Sequence, residues 1–287
     1  FGKDWVTDVV NQLKIKNVNK HIADYGKLPD LSKVNFDNDV IFTWNGTTSG
    51  VRVPNANWIP EDRKGLTICD ATSGIFAMKM DYKKLDVITW SWQKVLGGEG
   101  SHGMLALSPR AIQRLETYIP DWPIPKLFRI ANNKKLIKGI FEGSTINTPS
   151  MICVEDVLDA LKWVESIGGS NEIVKISDEN LKIVDEWVNK SEWVKFMCED
   201  RESRSATSIT LSIKDEWFNK FEEEEQRETV KKIVSILNKE GVANDINGYP
   251  KAPPSLRIWG GATVQNNDMK ALLPWIDWAY HSVKNNV

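Results

Sequence analysis

Four short apolar runs, DVIFTW, LTICD, DVITW and GMLALS, lie between Asp39 and Ser108, and each breaks off at polar or glycine-rich residues. They are too short for helices and rich in Val, Ile and Thr, so they read as buried strands of an α/β sheet. Around them the apolar spacing turns helical. Val6, Val9, Val10 and Leu13 predict an amphipathic helix near residues 4–14. Ser108 followed by Pro109 supplies an N-cap and a first-turn proline, which opens another helix. The stretch 119–149, with Pro120, Pro123, Pro125 and Pro149, reads as loop. Val154, Val157, Leu158, Leu161 and Val164 then mark a helix near 150–167, stopped by Gly168 and Gly169. Beyond it the expected order is helix (178–190), strand (206–213), helix (223–239), strand (256–260) and helix (266–282). The fold class is therefore α/β, with a large domain over 1–165 and a smaller C-terminal α/β domain over 166–287. A chain of 287 residues can supply a core to each.

Composition narrows the function by exclusion. A net charge of -2 offers no general attraction to nucleic acid or an anionic membrane, so any anion site must be local. No apolar run approaches the roughly 20 residues that span a bilayer. Three scattered cysteines, Cys69, Cys153 and Cys198, and three histidines suggest neither a disulfide framework nor a metal site. A reducing cytoplasm is the expected compartment. Trp163, Trp187, Trp275 and Trp278 fall at apolar helix positions and read as core.

One lysine stands apart from the charge-rich helical stretches. Lys94 follows the run LDVITWSW and precedes Gly97, Gly98 and Gly100. Ligands of open α/β sheets collect at the carboxyl ends of strands. Thr47 and Thr48 follow the first run, Asp70 closes the second, and Gln93 and Lys94 follow the third. An aspartate and a lysine at neighbouring strand ends suit pyridoxal phosphate chemistry. The amine forms a Schiff base with the cofactor aldehyde, and the carboxylate keeps the pyridine nitrogen protonated. The same two residues also suit a plain Asp70–Lys94 ion pair, or two unrelated surface groups, and spacing alone favours these plainer readings.

The motifs SWQKVLGGEGSHGMLALSPRA, FEGSTINTPSMICVEDVLDALKW and APPSLRIWGGAT, with TWNGTTSGVRVPN and ICDATSGIFA, resemble the phosphoserine aminotransferases in the form common among alphaproteobacteria. The likeness runs in order along essentially the whole chain. It implies a homodimeric fold-type-I pyridoxal phosphate enzyme, with a three-layer α/β/α large domain around a mainly parallel sheet. It also implies roles. Lys94 matches the Schiff-base lysine, Asp70 the partner of the pyridine nitrogen, Thr47 the contact to the ring hydroxyl, and Gln93 a phosphate ligand. Asn147 and Thr148 match residues that reach the other subunit's cofactor phosphate. Arg257 matches the clamp for the substrate α-carboxylate, a task suited to a planar guanidinium. Glu99 and His102 read as local structure.

The implied reaction moves an amino group from glutamate to 3-phosphohydroxypyruvate, giving O-phosphoserine and 2-oxoglutarate for serine biosynthesis, and in some members serves pyridoxine biosynthesis. Alternatives on the same fold are another aminotransferase, a cysteine desulfurase-like lyase, or an inactive truncated scaffold. Two departures from the resemblance stand out. Family members carry a further segment before the position of Phe1, so the sequence is expected to be a fragment. The His-Arg pair that many relatives place before the carboxylate clamp is replaced here by GYPKAPPSLR, which leaves Lys251, Arg201 and Arg204 as candidates for the substrate phosphate.

Overall fold

The computed structural model describes residues 2–100 and 102–286; Phe1, Ser101 and Val287 lie outside the described residues. Helix α1 (Gly2–Thr7) passes into a wider π-type turn over Asp8–Gln12, where the spacing predicts one continuous helix. Then come β1 (Val40–Thr43), the hairpin of β2 (Asn45–Gly46) and β3 (Val51–Arg52), β4 (Thr67–Asp70), β5 (Val87–Ser91) and β6 (Gly103–Leu107). Helix α2 (Pro109–Thr117) starts at the predicted cap, with the Ala111 amide donating to Ser108 Oγ at 3.2 Å. A ribbon of β7 (Ala131–Asn132) and β8 (Lys135–Leu136) interrupts the loop-rich segment, and α3 (Met151–Ser166) follows. Gly168 and Gly169, with φ of 114° and 83°, end that helix and turn the chain into α4 (Ser170–Lys190). The remaining elements are β9 (Val194–Phe196), β10 (Ser208–Ile213), α5 (Glu216–Asn219), α6 (Glu223–Lys239), β11 (Leu256–Trp259) and α7 (Asn266–Asn285).

The first sheet has the order β1-β4-β5-β6; its first three strands are parallel and β6 runs antiparallel on the edge. The second, β11-β10-β9, is antiparallel throughout. Each sheet carries its own apolar cluster. Trp44, Ile59, Cys69 and Ile88 pack with Val157 and Val164 of α3. Leu211, Leu256, Ile233 and Leu237 pack with Ile276 and Tyr280 of α7. Ile173 from α4, Ala206 and Ala262 belong to the first cluster, so the later part of the chain also packs onto the first sheet.

Two of the four tryptophans expected in the core are not there. Trp163 and Trp187 pack against the clusters, but Trp275 and Trp278 are exposed and meet edge to face at 5.4 Å. The buried stripe of α7 is Met269, Leu273, Ile276, Ala279, Tyr280 and Val283. Positions 275 and 278 fall beside that stripe rather than on it.

The amino ends of β4 and β5 are tied by a buried carboxylate. Asp86 Oδ2 accepts from the Thr67 amide, Arg63 Nη2 and Arg110 Nη1, each at 3.0 Å, and Oδ1 accepts from Ser108 Oγ at 2.8 Å. Burial raises the Asp86 pKa, but the bonds from Thr67, Ser108 and Arg63 outweigh it and hold the carboxyl below its ordinary value. Its contribution to stability is therefore present above the unfolded-state pKa and is lost as pH falls through the lowered folded value. Asp86→Ala strands Arg63, whose side chain is only 4% exposed, and is expected to cost about 3–5 kcal/mol. Denaturant unfolding at neutral pH checks this, and a loss under about 1 kcal/mol would show the network to be incidental.

Candidate active site

The parallel register places Thr43, Asp70 and Thr89 side by side at the carboxyl edge of the first sheet, so their side chains share a face. Past that edge each strand continues into a turn that carries a polar residue. The Trp44 amide donates to the Asp70 carbonyl at 2.9 Å, which carries sheet-like pairing one residue beyond β1. The chain then reverses through Gly46–Gly50, with the Gly50 amide on the Gly46 carbonyl at 3.0 Å. Gly50 has φ 67°, and a Cβ there would lie 2.8 Å from Thr210 Cβ, so only glycine fits. This turn holds Thr47, buried, with Oγ1 3.1 Å from Ser73 Oγ.

Asp70 closes β4 and its Oδ1 accepts the Thr72 amide at 2.9 Å, which orients the carboxylate at the mouth of the strand. Lys94 sits in the turn after β5, where the Gly97 amide meets the Lys94 carbonyl at 3.2 Å and Gly97 takes φ 72°. The Lys94 amine is half-buried, and its pKa lies below the ordinary value because of burial first and the nearby Arg257 charge second. Among the described residues no ion pair joins Lys94 to a carboxylate, so the plain Asp70–Lys94 pairing is absent. Arg257 reaches the same place from β11, opposite Thr210. Its guanidinium lies 4.9 Å from the centre of the Tyr249 ring, and Nη2 is 3.7 Å from the exposed carboxylate of Asp245.

Two buried polar atoms here lack partners. Gln93 Oε1 and Arg257 Nε have no hydrogen bond. A half-turn of the Gln93 carboxamide presents its NH2 to an anion instead. Unpaired acceptor and donor atoms beside a depressed lysine fit a polar, anionic ligand better than a closed core.

The structure thus brings Thr47, Asp70, Gln93, Lys94 and Arg257 to the sheet's carboxyl edge and the strand that faces it. Asn147 and Thr148 lie elsewhere in kind, on an exposed loop before α3. Glu99 is exposed and His102 packs its ring 4.8 Å from that of Trp92, in keeping with a local role. Arg201 and Arg204 both pair with Asp185, Arg204 at 2.5 Å, so neither is an uncommitted cation. Asn45, Ser73, Thr207 and Tyr249 carry no signal in the sequence, since small polar side chains and a loop tyrosine leave no periodic pattern.

Residues 27–243 match the model of the aminotransferase class-V family. The chain belongs to that family. It is 56% identical over 284 residues to a phosphoserine aminotransferase of Methanosarcina barkeri, covering 99% of this chain and 74% of that protein. The corresponding Methanosarcina mazei protein is 54% identical with the same coverage. A solved phosphoserine aminotransferase structure from Cytophaga hutchinsonii superposes with a TM-score of 0.75 at 20% identity, over 96% of this chain and 73% of that one. The fold is that of the fold-type-I pyridoxal phosphate transferases.

In this class-V aminotransferase the Arg257 charge works against protonation of Lys94. Arg257→Gln is therefore expected to raise the Lys94 pKa. The pH dependence of Lys94 acylation in the cofactor-free protein, read by peptide mass spectrometry, checks the direction; a midpoint that stays or falls would contradict it.

Proposed function

We infer that the protein is a pyridoxal phosphate aminotransferase that exchanges the amino group of glutamate with 3-phosphohydroxypyruvate, yielding O-phosphoserine and 2-oxoglutarate. The observation that carries this reading is a half-buried lysine of lowered pKa at the same sheet edge as Asp70, with Arg257 facing it. The substrate assignment comes from the two Methanosarcina relatives.

When bound, the cofactor supplies an electron sink for the pair released as the substrate Cα–H bond breaks. The chain's residues do the rest. Asp70 would hold a proton on the ring nitrogen, Thr47 would contact the ring oxygen, and Gln93 would contact the phosphate. The Lys94 amine would be the covalent anchor for the cofactor and, once released, would take the Cα proton and deliver it as the acid to the former aldehyde carbon. Arg257 orients the substrate by gripping its α-carboxylate through two parallel bonds.

The protein is further read as a homodimer in which Asn147 and Thr148 reach the partner's cofactor phosphate. The exposed apolar residues Ile119, Trp122, Phe128 and Ile152 on the same stretch of chain support a covered face. Division into a cofactor-binding domain (1–165) and a smaller domain (166–287) follows the two apolar clusters in outline. A cytoplasmic location suits three free cysteines, and among the described residues no helix is long and apolar enough to cross a membrane. Roles in serine and pyridoxine biosynthesis follow from the proposed substrate.

The desulfurase-like alternative needs a reactive thiolate. Burial pushes the Cys69 thiol far up, and burial with Asp200 raises Cys198 to about 11. Both shifts work against thiolate formation, so neither Cys69 nor Cys198 suits that reading.

Borohydride should fix the cofactor covalently to Lys94 in the intact protein, and Lys94→Ala should abolish fixation and cut turnover by roughly 10²–10⁴-fold or more. A mutant that still yields a fixed cofactor would sink the Lys94 assignment. Phosphoserine should convert the cofactor far faster than serine in a single turnover. Equal rates would leave the aminotransferase class and remove the phosphorylated substrate.

A further inference from the structure

Thr47 ends a chain of buried hydrogen bonds whose directions follow from which partners can only donate or only accept. Thr207 Oγ1 lies 2.7 Å from the Ser73 carbonyl oxygen, which can only accept, so the Thr207 hydroxyl proton is committed there. Thr207 Oγ1 must then accept at its 3.1 Å contact with Asn45, which fixes the Asn45 carboxamide with Nδ2 toward it. The same Nδ2 lies 2.9 Å from Ser73 Oγ and gives it a hydrogen. Ser73 Oγ accepts from Asn45, and its 3.1 Å contact with Thr47 Oγ1 can run either way. Among the described residues Thr47 Oγ1 is the one acceptor left for the Ser73 proton, so donation to Thr47 is the direction that leaves no buried hydroxyl hydrogen unpaired. Thr47 Oγ1 thus accepts from within the protein, and its own hydrogen is left to point outward. Asn45, Thr47, Ser73 and Thr207 are all buried, between 0% and 7% exposed, so bulk water does not reset these directions.

We propose that Asn45 and Ser73 are positioning residues that hold Thr47 as a hydrogen-bond donor to the ring oxygen of the bound cofactor. The inference rests on Thr47 being the ring-oxygen contact. A neutral hydroxyl can donate or accept; the relay behind it removes the choice. A fixed donor stabilises the ionised ring oxygen and so lowers the pH at which the bound cofactor releases its proton. The Thr207 bond carries the same polarity into the segment that leads to β10, so the relay joins β2 and the turn after β4 to the chain entering β10.

The test is a pH titration of the bound cofactor's near-visible absorbance in the intact protein and three variants. Thr47→Val should raise the midpoint by about one pH unit, the loss of one hydrogen bond to a charged group. Ser73→Ala should move it the same way by part of that amount, and Ser73→Thr should restore it. A wild-type midpoint in Ser73→Ala, alongside a shifted Thr47→Val, overturns the relay and leaves the Thr47 contact standing. An unshifted Thr47→Val overturns the contact itself and the relay with it. Should Ser73→Ala not hold the cofactor, Asn45→Ala breaks the relay from its other end. Its cofactor-free form should discriminate less than wild type between pyridoxal phosphate and the analogue lacking the ring oxygen; an unchanged ratio of affinities overturns the proposal.

Discussion

A single buried carboxylate governs where the chain emerges at the working edge of the sheet. Asp86 binds the amide of Thr67, the first residue of β4, and itself stands directly before β5. The two strands therefore begin at a fixed offset, and the register carries that offset to Asp70 opposite Thr89. A slip of one residue would turn Asp70 to the other face, because successive strand side chains alternate. Arg63 and Arg110 make the burial of that charge tolerable, and Arg110 also grips the Arg63, Lys64 and Gly65 carbonyls of the loop entering β4. The ion network at one end of the sheet is thus a condition for the geometry at the other.

Much of this architecture is visible in the sequence because burial leaves a pattern there. The four apolar runs become the four strands of the first sheet, and the interval 223–239 is α6 to the residue. Ser108 caps α2 as its hydroxyl and Pro109 require. What the pattern misses has physical reasons. The helix expected over 178–190 begins instead at Ser170, since the glycine pair that stops α3 also serves as the hinge into the next helix. Strand β9 is three residues long and alternates buried, exposed, buried, too brief to register as a period. Trp275 and Trp278 are apolar by composition alone; their exposure depends on which face of α7 meets the sheet, which only tertiary packing decides.

The candidate site divides along the same line. Lys94, Asp70 and Gln93 are conspicuous because charged or amide groups at the ends of apolar runs must have a reason to be there. Arg257 stands out less, being one basic residue in a strand, and its field on Lys94 is a property of the fold. The residues behind Thr47 are hidden altogether. Asn45, Ser73 and Thr207 come from three separated segments, and their importance lies in hydrogen-bond direction, which no residue spacing records.

Two cations at one sheet edge repel, and in the proposed reaction the repulsion would have a use. Burial and Arg257 both disfavour the protonated form of Lys94, which keeps the amine toward its neutral, nucleophilic state. Arg257 is only loosely compensated, since Asp245 is 3.7 Å away with an 89% exposed side chain. A substrate carboxylate arriving at Arg257 would bring the missing negative charge and cancel much of the field felt at Lys94. The amine would then gain proton affinity when a base is needed, having lacked it when a nucleophile was needed. A carboxylate partner built into the protein would raise the lysine's pKa permanently and remove that difference. The absence of an Asp70–Lys94 ion pair is therefore what the proposed chemistry would ask of this edge, where Asp70 is held instead to the Thr72 amide.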